Sequence, residues 1–214
     1  MTGDGGNNHP TIEPKENGPY LVHNLDKLTN SKGEELATKP TIALCRCGGS
    51  ANKPFCDGTH ANNGFSSAKE TDGSADTRED YAAGDLTIHD NRGICAHLGR
   101  CSDGLPGVFR PGTEPWIDPA GAAPESLVAT VRRCPSGALS HSIAGDEHRD
   151  MEQPPAILIA QDGPYLIAGG IELREDRWGE GASKEHYALC RCGRSKNKPF
   201  CDGAHWKGFK DEKN

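Results

Sequence analysis

Residues 45–60 read CRCGGSANKPFCDGTH, and residues 190–205 read CRCGRSKNKPFCDGAH. Both stretches place three cysteines and one histidine in the order C-x-C-x8-C-x3-H, at an offset of 145 positions. Thiols and imidazoles recurring at one spacing are typical of a metal site. The eight candidate ligands are Cys45, Cys47, Cys56, His60, Cys190, Cys192, Cys201 and His205.

The repeated unit extends beyond these ligands. Residues 18–22 (GPYLV) correspond to residues 163–167 (GPYLI) at the same offset, so a unit of about fifty residues has been copied. In each copy we predict one strand after the Gly-Pro turn, a second strand leading into the cysteines, and a short helix capped by the aspartate. The predicted strands are Tyr20–His23, Thr41–Leu44, Tyr165–Ala168 and His186–Leu189.

The composition excludes several classes of protein. Hydrophobic residues make up 34% of the 214 residues, and 27 glycines and 15 prolines accompany them, which favours small modules stapled by metals over one large core. The net charge of -7 comes without a basic stripe, so we expect no nucleic-acid partner. Because the sequence has neither a membrane-length apolar run nor a signal-peptide pattern at residues 1–10, we expect no membrane partner and a soluble, cytoplasmic protein.

Cysteine usage favours metal binding over disulfides. The count of nine is odd, and the cysteines fall into three groups of three along the chain. The two members of a C-x-C pair are poorly placed to bridge each other. Reduced thiols that hold metal fit this pattern better.

Composition shifts divide the chain into five segments. We predict repeat units at residues 10–67 and 156–214, linkers at 68–84 and 144–155, and a distinct middle module at 85–143. The expected fold class is α+β, made of β-rich, metal-stapled modules.

Spacing alone leaves the metal of the two repeats open. A Cys3His zinc site and an iron–sulfur cluster both use these ligands. Structural zinc sites favour C-x2-C pairs, and C-x-C is less usual among them.

The two motifs resemble the CDGSH iron–sulfur domains of the mitoNEET-type family over residues 10–65 and 155–210. The resemblance implies a [2Fe–2S] cluster in each copy. By analogy, Cys45 and Cys47 hold the inner iron and Cys56 and His60 the outer one, with Cys190, Cys192, Cys201 and His205 in the equivalent roles. Family members pair two chains with one motif each. Since both motifs lie in one chain here, we hypothesise an intramolecular pseudo-dimer in a monomeric protein.

Further polar residues accompany the ligands at matching positions. Ser50 and Ser195 either donate hydrogen bonds to cluster sulfurs or brace the loop. Asp57 and Asp202 directly follow the third cysteine of each motif, and we place them in the surroundings of the cluster.

The middle module carries a third candidate site. Cys95, Cys101 and a later Cys134-Pro135 follow the bacterial ferredoxin pattern C-x2-C-x2-C…C-P, but Leu98 replaces the central cysteine. Three thiolates predict a [3Fe–4S] cluster; with His97 as a fourth ligand the cluster would be [4Fe–4S]. Residues 84–143 resemble divergent mono-cluster ferredoxins through LPGVF at 105–109, PWI at 115–117 and CPSGA at 134–138. The resemblance implies a ferredoxin-like βαβ-type module.

These sites predict a multi-cluster electron carrier rather than an enzyme. No nucleotide motif, catalytic triad or telling carboxylate pair is present in the sequence. We expect one-electron transfer, coupled to protonation at His60 and His205, with redox proteins as partners. The alternatives are storage, transfer or sensing of clusters, with apo iron–sulfur proteins as acceptors, and a structural zinc module that binds proteins.

Overall fold

The computed structural model describes residues 9–71, 76–175, 177–211 and 214. Its strands form three four-stranded sheets. In chain order, the strands are β1 (Thr11–Pro14), β2 (Tyr20–His23), β3 (Leu28–Thr29), β4 (Thr41–Leu44), β5 (Glu79–Ala83), β6 (Leu86–Asp90), β7 (Leu139–Ile143), β8 (Asp146–His148), β9 (Ala156–Ile159), β10 (Tyr165–Ala168), β11 (Glu172–Leu173) and β12 (Tyr187–Leu189). The two α-helices are α1 (Arg100–Gly104) and α2 (Pro124–Val131).

The two repeat units exchange a strand. One sheet has the order β11-β1-β2-β4 and its counterpart the order β12-β10-β9-β3. The short strand β11 pairs in parallel with β1, with Glu172 opposite Thr11, and β3 pairs in parallel with β9, with Leu28 opposite Ile157. Each unit therefore completes the sheet of the other unit. The predicted intramolecular pseudo-dimer is confirmed by this topology.

Two tyrosines join the units across the pseudo-two-fold axis. The Tyr20 hydroxyl donates to the carbonyl of Cys190 at 2.9 Å, and the Tyr165 hydroxyl donates to the carbonyl of Cys45 at 2.9 Å. Their rings pack edge to face with centroids 6.1 Å apart. Both side chains are almost fully buried, so each hydroxyl needs such a partner. The tyrosine of each repeated GPY segment thus fixes the metal loop of the other unit.

The units also meet backbone to backbone beside the cysteines. Cys47 and Cys192 form an isolated antiparallel bridge. The next residues, Gly48 and Gly193, have φ values of +74° and +77°, and a Cβ on either would lie 2.6 Å from a carbonyl oxygen of the opposite unit. Only glycine fits there, because it combines left-handed backbone with no side chain.

The middle module is an antiparallel sheet in the order β5-β6-β7-β8, with α2 packed on it through Leu127 and Val131. The sequence of this module predicts paired outer strands at Leu86–Ile88 and Ala138–Ile143 and a helix over Glu125–Arg133. The two strands pair as β6 and β7, but they are the central strands and not the outer ones.

The outer strands β5 and β8 lie in segments that were predicted as linkers. Both are rich in polar residues, and most of their residues are exposed. An edge strand with no buried face shows little apolar alternation, so its sequence resembles a loop. The antiparallel sheet therefore begins before residue 85 and continues past residue 143.

The α-helices of the described residues are short. The longer of them, α2, has 8 residues, and no described helix has the length and apolarity to cross a membrane.

Candidate metal centres

The first two cysteines of each motif bring their sulfurs together. The Sγ atoms of Cys45 and Cys47 are 3.9 Å apart, and those of Cys190 and Cys192 are 3.8 Å apart. Two sulfurs on one tetrahedral metal, with bonds of about 2.3 Å, lie about 3.8 Å apart. A disulfide would require about 2.05 Å. Each pair is therefore spaced to share one metal ion.

The metal loop is held by backbone and side-chain hydrogen bonds that repeat in both motifs. The Ser50 hydroxyl donates to the Phe55 carbonyl at 2.7 Å, and Ser195 does the same to Phe200. Both hydroxyls therefore brace the loop, the second of the two roles considered for them. The sulfur of Cys45 instead accepts from the backbone N–H groups of Ser50 and Gly48.

The aspartates organise the turn toward the histidine. Asp57 accepts from the Thr59 hydroxyl at 2.7 Å, from the N–H of Thr59 at 3.0 Å and from the N–H of Ala51 at 2.8 Å, and these bonds hold the pKa of its carboxyl below the usual range. Asp202 accepts equivalent bonds from Lys196 and Ala204. The short 3-10 helices Thr59–Ala61 and Ala204–Trp206 begin one residue later than an Asp cap predicts, because a left-handed glycine intervenes.

Burial makes Cys45 and Cys201 poor thiolates without a cation. Desolvation raises the pKa of Cys45 to about 11 and that of Cys201 well above the ordinary thiol value. The sulfurs of Cys190 and Cys192 share one hydrogen bond, which lowers the pKa of Cys190 and raises that of Cys192. A bound metal would stabilise the thiolates that this environment disfavours, so the donor set fits a cationic centre.

The outer ligands differ between the two motifs. Cys56 Sγ lies 3.3 Å from His60 Nδ1, so the structure brings this pair together, and both residues are partly exposed. His205 is 5% exposed, and its Nδ1 and Nε2 each lie 3.1 Å from a carbonyl oxygen, that of Asp162 and that of Ala96. The predicted partner Cys201 is also buried, but the described contacts do not join its sulfur to the His205 ring.

Three ligand pairs form close contacts, namely Cys45 with Cys47, Cys56 with His60, and Cys190 with Cys192. Among the described residues, no three ligating side chains converge on a position that one metal ion could occupy. A zinc ion in a Cys3His site would need all four ligands around one point. Pairs of ligands suit a centre with two metals, each held by two side chains.

The middle cysteines line a common cavity of about 230 Å3. Burial raises the pKa of Cys95 to about 12 and raises that of Cys101. The Arg92 guanidinium lies 3.8 Å from Cys95 Sγ and stacks on the Trp116 ring at 4.3 Å. Three thiols and a nearby cation around one cavity fit a negatively charged cluster.

His97 lines the same cavity. Its backbone N–H donates to Cys95 Sγ at 3.4 Å, and its ring Nδ1 lies 3.5 Å from Arg92 Nη2. Burial lowers the pKa of the imidazole, which favours the neutral form that ligands use. The contact of the backbone N–H with Cys95 supports a position of His97 beside the site. A role for the ring as fourth ligand stays a prediction.

Asp90 is a residue of the middle site that sequence reasoning missed. It is 1% exposed, it lines the cavity, and its Oδ2 accepts from Trp116 Nε1 at 3.1 Å while its Oδ1 is buried without a partner. Desolvation raises the pKa of this carboxyl to about 7. Asp90 ends a strand 5 residues before Cys95, and nothing in the local sequence marks it as buried.

We predict that Asp90→Asn stabilises the protein at pH 8. The pKa of about 7 in the folded state exceeds the unfolded value of about 3.9, so folding favours the protonated form and stability falls as pH rises from 4 to 7. Asparagine has no such loss, so we expect its free energy of unfolding to exceed that of the wild type by about 4 kcal/mol at pH 8, and this gain should disappear at pH 4. Thermal unfolding at both pH values measures this gain, with Asp85→Asn, at an exposed carboxylate, as control. An equal effect at the two pH values would contradict this assignment.

Comparison with known proteins matches all three sites. The family described as iron-binding zinc finger, CDGSH type, matches residues 17–61 and 162–206. The family described as divergent 4Fe-4S mono-cluster matches residues 81–143. The chain is also 33% identical to the Uncharacterized protein YjdI of Escherichia coli strain K12 over 61 residues, which are 28% of this chain and 80% of that protein. The YjdI protein of Escherichia coli O157:H7 matches equally. The predicted order of two CDGSH units around a mono-cluster domain is confirmed.

Proposed function

Because the chain belongs to the iron–sulfur proteins, with two CDGSH-type domains flanking a divergent 4Fe-4S mono-cluster domain, we propose that it is a one-electron carrier with three clusters. When bound, such clusters supply reversible one-electron chemistry. Cys45, Cys47, Cys56 and His60 would hold one [2Fe–2S] cluster, and their four counterparts at 190–205 a second. Cys95, Cys101 and Cys134 would hold a [3Fe–4S] cluster, or a [4Fe–4S] cluster with a further ligand.

The pairing of ligand side chains carries this proposal. Sulfurs 3.9 Å and 3.8 Å apart in the two C-x-C pairs, with no third ligand among the described residues converging on the same point, favour two-metal centres over zinc. The proposed partners are redox proteins. We propose the monomer as the working form, because the strand exchange satisfies both repeat units within one chain.

Anaerobic purification with iron, sulfide and zinc analysis tests the proposal. We expect acid-labile sulfide in the purified protein. We also expect reversible reduction of the clusters, which EPR spectroscopy monitors. Electron uptake should be coupled to proton uptake at the histidine ligands, with a midpoint potential that falls by about 59 mV per pH unit for one proton per electron. A colourless protein with zinc alone would refute the proposal, and a flat potential between pH 6 and 10 would refute the proton coupling.

Cluster transfer is the second candidate function, and the exposure of the N-terminal motif favours it. Cys56 and His60 are both partly exposed, so an acceptor protein can approach these ligands. Delivery of a cluster to an apo-ferredoxin should then occur in the wild type and stop in the variant His60→Cys. An electron carrier should retain its clusters under the same conditions.

A further inference from the structure

The middle module rests on the C-terminal motif through the residues beside its first cysteine. We use the term cap segment for residues 93–98. Its Ala96 carbonyl lies 3.1 Å from His205 Nε2, its His97 carbonyl accepts from Trp206 Nε1 at 2.9 Å, and its Gly93 carbonyl accepts from Asn197 Nδ2 at 2.6 Å. Ala96 also shares an apolar cluster with Cys201. Polar and apolar contacts together make this a specific interface.

The cap segment gives two motifs with the same ligands different surroundings. Cys201 is 2% and His205 5% exposed, whereas Cys56 and His60 are partly exposed. The asparagines show the same contrast, since Asn197 is buried under the cap segment and its counterpart Asn52 is exposed. The sequence difference between the motifs is small, so the packing of the middle module creates the difference in burial.

The glycines that precede the two 3-10 helices locate the contact closely. Gly58 and Gly203 have φ values of +88° and +81°. A Cβ on Gly58 would meet nothing within 4 Å, whereas a Cβ on Gly203 would lie 2.6 Å from Cδ2 of His97. The two positions therefore share their backbone conformation and differ in the cap.

We propose that the cap segment divides the two motifs by role. It closes the C-terminal motif and joins it, through Ala96 and His205, to the site that contains Cys95. The N-terminal motif is left as the open one of the two, from which iron can leave without displacement of the cap segment. The division of roles rests on the proposed function, but the closed C-terminal motif and the open N-terminal motif are properties of the polypeptide.

Hydrogen exchange of the as-purified full-length protein tests the closed and open states without reference to the metals. We expect slower exchange in the peptide spanning residues 197–206 than in its counterpart 52–61. Gly203→Ala should accelerate exchange at 197–206 and at the cap segment by about tenfold, the effect of losing about one hydrogen bond. The matched control Gly58→Ala carries the same backbone strain in open space and should leave 197–206 unchanged. Trp206→Phe is a milder second variant that removes only the bond to the His97 carbonyl.

Iron release to a chelator tests the division of roles in the metal-loaded protein. We expect a fast phase from the N-terminal motif and a slow phase from the rest. His60→Cys should slow the fast phase, and Gly203→Ala or Trp206→Phe should speed the slow one. Equal exchange in the two peptides, or a slow phase that neither variant alters, would overturn the cap. Absence of iron with the exchange difference intact would overturn the proposed function and leave the cap standing.

Discussion

Replacing Gly48 or Gly193 with alanine should abolish assembly of the paired repeat units and lower the iron content of both repeated motifs. The new Cβ would lie 2.6 Å from the carbonyl oxygen of Cys192 or Cys47, and both partners are backbone atoms that cannot rotate away. The left-handed backbone adds about 1–2 kcal/mol of strain. We expect a total loss of more than about 4 kcal/mol, since the clash separates the bridge that joins the units.

Gly64→Ala and Gly208→Ala separate the strain from the clash. These glycines have φ values of +72° and +86°, and a Cβ on either would meet nothing within 4 Å. The free energy of unfolding of these two variants should fall by only about 1–2 kcal/mol. Thermal unfolding and iron content of the four variants give the comparison. If Gly193→Ala behaves like Gly208→Ala, the backbone contact between the units is not tight.

Arg191→Leu should destabilise the protein by about 3–5 kcal/mol. The side chain is 1% exposed, its Nη1 pairs with the buried carboxylate of Asp211, and its Nε donates to the Gly163 carbonyl at 2.8 Å. The guanidinium also lies over the Phe209 ring at 4.9 Å. Leucine fills part of the volume but leaves the Asp211 charge buried without its partner, which is the costly outcome.

The repeat supplies the matched control in Arg46→Leu. Arg46 occupies the equivalent position and donates to the Lys15 carbonyl at 3.1 Å, while its Nε is buried without a partner. Among the described contacts, Arg46→Leu leaves no buried carboxylate without a partner. We therefore expect its free energy of unfolding to fall by only about 1 kcal/mol. The double variant Arg191→Leu with Asp211→Asn should recover part of the loss. Chemical denaturation followed by fluorescence measures all three, and equal losses for Arg46→Leu and Arg191→Leu would contradict the role of Asp211.

Local pattern predicted the features that depend on neighbouring residues. The strands Tyr20–His23, Thr41–Leu44 and Tyr165–Ala168 have the predicted bounds, because a turn signal and a short apolar run suffice to define them. The ligand spacing likewise indicated that the two sulfurs of each C-x-C pair lie close together, since only one residue separates the two cysteines. The edge strands β5 and β8 were missed, because nothing buries their polar side chains.

The residues that join the units left only partial signals. Tyr20, Tyr165, Gly48 and Gly193 recur at the offset of 145, which marked them as part of the repeat. Their contacts cross from one unit to the other, and no property of a single copy reveals that crossing. Asp90 had no signal, because its burial depends on the cavity that distant segments close around it.

The amino-acid sequence by itself determined the three groups of candidate ligands and the family to which the chain belongs, because a metal needs particular side chains at short, fixed separations along the chain. Tertiary structure alone decided that β3 and β11 cross between units and that Ala96 meets His205 across 109 positions. Such contacts depend on the burial of whole surfaces, so two nearly identical motifs acquire different exposure.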